Sequence, residues 1–297
     1  MTLQRPYLPD GFHKFWEDTV READLADLDF SRSSQSEVSR EGFEIELVDF
    51  KGVSGDVLHG WFAFPTDAML TPAFVWLAPY GRRSMPPDEY GTRPGFCSLS
   101  FNHFGESAFH HEEYEPDRGY FAEGIGSSET WVFRRMFQDS VIAARVLAEM
   151  EETNAQRIGA MGMSQGGGIA VWMGAFCRQV KAVCADLPFG AARPMVFSRE
   201  IRRYPLKEVS DYMAESDESR DRAMRTMAFF DTVNLASLCE VPTVVTVGLK
   251  DPFVKSSEVL SVFEALAGEK RLDEIDGGHD WHPSMVDRNR EWLAEHL

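Results

Sequence analysis

"RIGAMGMSQGGGIAVW", residues 157–172, holds the chain's most informative junction. A dense apolar run ends at Met163. A serine follows inside Gly162-Met163-Ser164-Gln165-Gly166, and Gly167 and Gly168 lead into a second apolar segment. The pattern predicts strand, sharp turn, helix. A turn that lifts a serine hydroxyl out of a sheet presses the residues two before and two after it against neighbouring backbone, where only small residues fit. The N–H groups of a helix opening at Gln165 also point towards the serine and favour negative charge there. A glycine-rich connection with a passive serine has the same composition, so the partners elsewhere in the chain decide between the two.

Working outward, "PAFVWLAP" (72–79), "FCSLSFN" (96–102), "RIGAMGM" (157–163), "VKAVCADLP" (180–188) and "VPTVVTVGL" (241–249) are short and densely apolar. Strands buried on both faces have this composition, which implies a parallel sheet covered by helices. Helical patterns fall between them: residues 130–152, 166–177, 256–267 and 289–297. Ahead of them, residues 10–29 read as a helix with Phe12, Phe15, Trp16, Thr19 and Val20 on one face, and 31–41 as a polar linker. "FEIELVDF" and "VLHGWFAF" around "KGVSGD" predict a β-hairpin at the sheet edge. The expected architecture is a single α/β domain over 1–297, doubly wound and mostly parallel. It carries an N-terminal helix and linker in 1–41 and a helical insertion in 190–232. That insertion and the long aromatic excursion 81–129 leave the sheet at strand ends, where such segments shape pockets.

Composition narrows the function classes. The 297 residues carry 30 basic and 48 acidic side chains, a formal net charge of −18, which disfavours nucleic acid and anionic membranes as partners. Hydrophobic residues make up 43%, ordinary for a globular protein, yet no apolar run is long enough to span a bilayer. The opening residues lack a basic end followed by an apolar core, so the expected location is the cytoplasm. Cys97, Cys177, Cys184 and Cys239 lie among apolar neighbours without metal-site spacing and read as reduced core thiols. The run His110-His111-Glu112-Glu113 reads as a solvated loop, because adjacent side chains point apart. No metal or organic cofactor is called for.

A serine hydroxyl becomes a useful nucleophile when a histidine takes its proton and a carboxylate holds that histidine's tautomer. After Ser164 come two histidines, His279 and His282. His279 lies in the glycine-rich "DGGHDWHP" and is preferred as the base; His282 precedes a proline and reads as a neighbour or surface residue. Asp251 directly follows a buried strand, at the sheet edge where sites gather, and is preferred as the acid over Asp186, Asp276 and Asp280. The tetrahedral oxygen needs two donors. The backbone N–H of Gln165 is one, and that of Tyr80 in "WLAPYGRRS" is the other, with Gly81 permitting close approach.

With these residues in place, the chain resembles the acetyl xylan esterase / cephalosporin C deacetylase family of carbohydrate esterases, a branch of the α/β-hydrolase fold. The resemblance covers nearly the whole length. "PDGFHKFWEDTVREAD" is similar to the family's N-terminal aromatic helix, "APYGRRSMPP" to its Tyr-Gly loop, and "DRGYFAEGI" with "TWVFRRMFQDSVIAARVL" to its Gly-Ile segment and Arg-Arg helix. "GMSQGGGIA", "VGLKDPFV" and "GGHD" stand where the family has its serine, aspartate and histidine. The resemblance implies Ser164 as nucleophile, Asp251 as acid, His279 as base, and Tyr80 and Gln165 as oxyanion donors. It implies a small acylated substrate, such as an acetylated sugar, and homo-oligomers, often hexamers, whose sites face an internal cavity. Two departures stand out: the family's Arg-Gly-Gln reads "NHFGES" here (Asn102–Ser107), and its His-Glu reads His279-Asp280. A hydrolase of a non-ester bond, such as a peptidase, and a non-catalytic member of the fold are the competing readings, since one fold serves many chemistries.

Overall fold

The computed structural model describes residues 7–191, 196–197 and 201–297. Among the described residues nine strands form one sheet: β1 Phe30–Ser34, β2 Phe43–Lys51, β3 Val57–Pro65, β4 Thr71–Leu77, β5 Cys97–Asn102, β6 Thr153–Met163, β7 Val180–Asp186, β8 Thr243–Gly248 and β9 Lys270–Ile275. Their spatial order is β1-β2-β3-β5-β4-β6-β7-β8-β9. The first three and the β3–β5 pair are antiparallel, and every pair from β5 through β4 to β9 is parallel.

The continuously apolar runs are the strands covered on both sides. In β4, Ala73, Val75 and Leu77 enter one core while Phe74 and Trp76 enter the other, as the two-residue period of a strand requires. The larger core lies under α1 (Phe12–Leu25), α2 (Val132–Ala148), α3 (Gln165–Phe176) and α7 (Ser256–Ala265). On the opposite face, α8 (Pro283–His296) sets Trp292 and Leu293 against Trp76, Met161 and Val244. Between β7 and β8 the insertion supplies α4 (Leu206–Ala214), α5 (Asp217–Phe229) and α6 (Thr232–Ala236). Part of the predicted insertion, 192–195 and 198–200, lies outside the described residues.

Several boundaries depart from the sequence expectation. The supposed linker begins with an edge strand: β1 pairs with β2, and Arg32 joins Glu46 at 2.6 Å and Glu152 at 2.8 Å while lying over the Phe62 ring. An edge strand tolerates serines and charges on its open side, so its composition is that of a loop. The same reasoning applies to β9, "KRLDEI", which pairs in parallel with β8 at the far edge and carries no strong apolar pattern. The N-terminal helix is shorter than expected, and the last helix starts at Pro283, six residues before the expected 289.

Candidate active site

At the β6–α3 junction Ser164 has φ 56° and ψ −114°, a conformation rare for a residue with a side chain. The surrounding backbone enforces it. Ser164 N–H donates to the Asp186 carbonyl at 2.8 Å, and the Ser164 carbonyl accepts from Phe189 N–H at 2.9 Å and Gly168 N–H at 3.0 Å. The glycines are a packing requirement. A Cβ on Gly162 would sit 2.6 Å from the Gly166 carbonyl carbon, and one on Gly166 would sit 2.2 Å from the Leu77 carbonyl oxygen. Gly167 and Gly168 would meet the carbonyls of Asp186 and Phe189 at 2.7 and 2.5 Å. Strand, turn and helix are thus pressed together backbone on backbone.

The two polar partners come from the ends of β8 and β9. His279 Nε2 lies 2.8 Å from Ser164 Oγ, and His279 Nδ1 lies 2.6 Å from Asp251 Oδ2. A carboxylate at Nδ1 makes that nitrogen the protonated one and leaves Nε2 to accept from the serine hydroxyl. Asp251 is itself held, since its Oδ1 accepts from the N–H groups of Phe253 at 2.8 Å and Val254 at 2.9 Å. Its side chain is fully buried, and that of His279 is 15% exposed, facing the cleft. The Gly277-Gly278 turn lies so close to the end of β8 that a Cβ on Gly248 would meet the Gly278 carbonyl at 2.8 Å.

The other candidates are elsewhere. His282 caps α8, its Nδ1 accepting from Ser284 N–H, and Asp276 pairs with Lys250 at the surface. Asp280 accepts from its neighbour Trp281 N–H at the cleft rim. Asp186 is buried beneath the turn, where it accepts from Thr246 Oγ1 and Asn289 Nδ2, and burial raises its carboxyl above the ordinary range. His110 and His111 form separate pairs with Glu112 and Glu113 at 3.5 and 3.1 Å.

Tyr80 and Gln165 stand on opposite sides of a connection that the sequence does not reveal. Gly81 N–H donates to the Tyr120 hydroxyl at 3.0 Å, and that hydroxyl donates to Gln165 Oε1 at 3.1 Å. The Tyr80 ring stacks on Tyr120, with centroids 4.4 Å apart. One buried phenol therefore ties the loop after β4 to the start of α3. Burial raises the Tyr120 hydroxyl above its ordinary pKa, so it stays protonated and able to donate. Behind Tyr120 lies the "NHFGES" segment. Phe104 packs on Tyr120 at 4.4 Å and is flanked by Arg82 and Arg135, whose guanidiniums lie 4.3 and 5.2 Å from its centroid. Burial pushes the neighbouring His103 down to about 3, so its ring is neutral, and its Nδ1 has no hydrogen-bond partner among the described residues. The segment thus buttresses the site from outside it.

Ser164 and His279 open onto a cleft of about 380 Å³ walled largely by aromatic side chains, among them Tyr80, Tyr114, Phe121, Tyr204 and Trp281. The sequence model of a family described as acetyl xylan esterase (AXE1) matches residues 3–296. The chain belongs to this family. Among its relatives, acetyl esterase Axe7A of Xylanibacter ruminicola is 20% identical over 262 residues, which cover 84% of this chain. The match spans 58% of that longer relative. An acetyl xylan esterase from Paenibacillus sp. R4 superposes with a TM-score of 0.86 at 22% identity, covering 99% of this chain and 97% of that one. Acetyl xylan esterase 1 from Thermoanaerobacterium sp. JW/SL YS485 gives 0.85 at 20% identity, with coverages of 98% and 95%. These two likenesses establish the α/β-hydrolase fold with its mostly parallel sheet.

Proposed function

We propose that this acetyl xylan esterase family member is a serine carboxylic-ester hydrolase that removes acetyl or other short acyl groups from sugars or small acylated molecules. The observation that carries the proposal is the continuous hydrogen-bonded chain Asp251–His279–Ser164 at the floor of the aromatic cleft. In this reading Ser164 Oγ attacks the acyl carbon as His279 Nε2 takes its proton, and Asp251 stabilises the imidazolium formed. The oxygen of the tetrahedral intermediate turns towards the N–H groups of Gln165 and Tyr80. Gln165 is favoured because it opens α3, where backbone donors lack helical partners. His279 returns the proton to the leaving alkoxide, and a water molecule deprotonated by the same nitrogen then releases the acid from the acyl-enzyme.

Hydrolysis of p-nitrophenyl acetate tests this directly. Ser164→Ala should lower kcat by about a thousandfold or more and abolish labelling by a fluorophosphonate probe. Wild-type turnover in the variant refutes the assignment. Comparing acetylated xylooligosaccharides, cephalosporin C and an aminoacyl anilide then separates deacetylation from amide hydrolysis. The proposal includes a homo-oligomer, with a hexamer supported by the sequence resemblance and measurable by light scattering. A cytoplasmic location is supported by the four buried free thiols, which suit a reducing compartment.

A further inference from the structure

A carboxylate on the insertion grips the proposed oxyanion loop from outside. Glu208, on α4, accepts hydrogen bonds from the Tyr80 hydroxyl at 2.8 Å and the Tyr114 hydroxyl at 3.1 Å through Oε1. Its Oε2 accepts from Phe121 N–H at 2.6 Å. Tyr80, Tyr114 and Phe121 all wall the cleft, and so do Tyr204 and Pro205, which lead into the helix bearing Glu208, and Leu206, its first residue. The approach is tight: a Cβ on Gly119 would lie 2.2 Å from the Glu208 carboxyl carbon, so segment 119–121 meets the carboxylate with backbone alone. Tyr80 is consequently held at both ends. Its hydroxyl donates to Glu208 and accepts from Tyr120 N–H at 3.3 Å, and the neighbouring Gly81 N–H is fixed by Tyr120.

We propose that Glu208 is a positioning residue for the reaction: by holding the Tyr80 phenol against the insertion, it sets the direction of the Tyr80 backbone N–H and the width of the cleft beside Ser164. The proposal rests on the esterase reading above. Its physical content is that a donor aimed at a developing negative charge loses most of its value when displaced by a fraction of an ångström. Glutamine can replace the carboxylate, with its Oε1 turned to Phe121 N–H and its Nε2 donating to the two phenol oxygens. Alanine cannot.

The test compares Glu208→Ala, Glu208→Gln, Tyr80→Phe and the Tyr80→Phe/Glu208→Ala double variant on p-nitrophenyl acetate, with melting temperature measured alongside. Expected are a fall in kcat of about tenfold to a hundredfold for Glu208→Ala and KM for this small ester within about threefold. Glu208→Gln should stay within about threefold of wild-type kcat. Tyr80→Phe keeps the ring and backbone N–H, yet should lose kcat comparably, and the double variant should be no slower than the slower single one. Unchanged kcat in Glu208→Ala or in Tyr80→Phe overturns the proposal, as do losses that multiply in the double variant. Tyr80→Phe decides the matter even when Glu208→Ala fails to fold. Wild-type protein without ester turnover or fluorophosphonate labelling would remove the esterase reading itself, a different failure from normal wild-type turnover that ignores Glu208.

Discussion

At the scale of single residues, the conformation of Ser164 depends on what its neighbours lack. A positive φ at a residue with a side chain costs on the order of 1–3 kcal/mol and persists only where surrounding structure over-determines it. Here three backbone hydrogen bonds and four glycines do so. Gly166 is the least replaceable, because a methyl group there would collide with the Leu77 carbonyl in the middle of the sheet edge, and neither backbone can retreat. Gly166→Ala should therefore lower the melting temperature by at least about 5 °C and cut esterase turnover by two orders of magnitude or more. Thermal denaturation and p-nitrophenyl acetate hydrolysis check it, and a variant with normal values on both contradicts the packing argument.

At the scale of elements, the β2–β3 hairpin is tied to α2 by one buried carboxyl. Asp139 accepts from Val53 N–H at 2.9 Å, and the hairpin turn passes so close that a Cβ on Gly52 would lie 2.7 Å from Asp139 Oδ1. Burial lifts this carboxyl from 3.8 to about 6, with Arg135 opposing and Asp56 adding to the rise. Between those two values the folded protein binds more protons than the unfolded chain, so this group's contribution to stability falls as pH rises from about 4 to about 6. Above pH 6 the folded state carries the full penalty, at most about 3 kcal/mol. Asp139→Asn keeps an acceptor for Val53 without the charge. It should raise the melting temperature at pH 8 by about 2–5 °C, an advantage that shrinks as pH falls from about 6 to about 4 and is gone below that. A variant less stable than wild type at pH 8 would contradict this.

For the whole molecule, the excess of 18 negative charges matters more than any one ion pair. Surface pairs such as Lys14–Asp18 contribute little each, whereas like charges repel across the entire surface. Raising sodium chloride from 10 to 200 mM at pH 7.5 screens distances beyond about 10 Å and should increase the melting temperature by a few degrees. Near pH 5, where carboxylates begin to take up protons, the gain should be smaller. A melting temperature that drops with salt at pH 7.5 would mean that attractive pairs dominate instead.

Much of this architecture was legible along the chain. The doubly covered strands could be read because burial on both faces makes them densely apolar and admits only small or hydrogen-bonded polar residues such as Ser98, Ser100 and Thr246. Their edge counterparts β1 and β9 could not, because one open side removes the pattern. The elbow, Asp251 and His279 were legible because each follows a strand whose end lies at one edge of the sheet, and parallel strands bring those ends together. No local pattern distinguishes Tyr120 from other aromatic residues in its excursion, or Glu208 from the other acids of its helix. Hydrogen bonds spanning 45 and 128 residues carry no local periodicity. By itself the sequence determined the fold and which strand ends carry Ser164, Asp251 and His279, since backbone sterics and burial periodicity act residue by residue. Only the tertiary structure decided how the Tyr80 loop is held, because that depends on side chains from the excursion and the insertion meeting over the cleft.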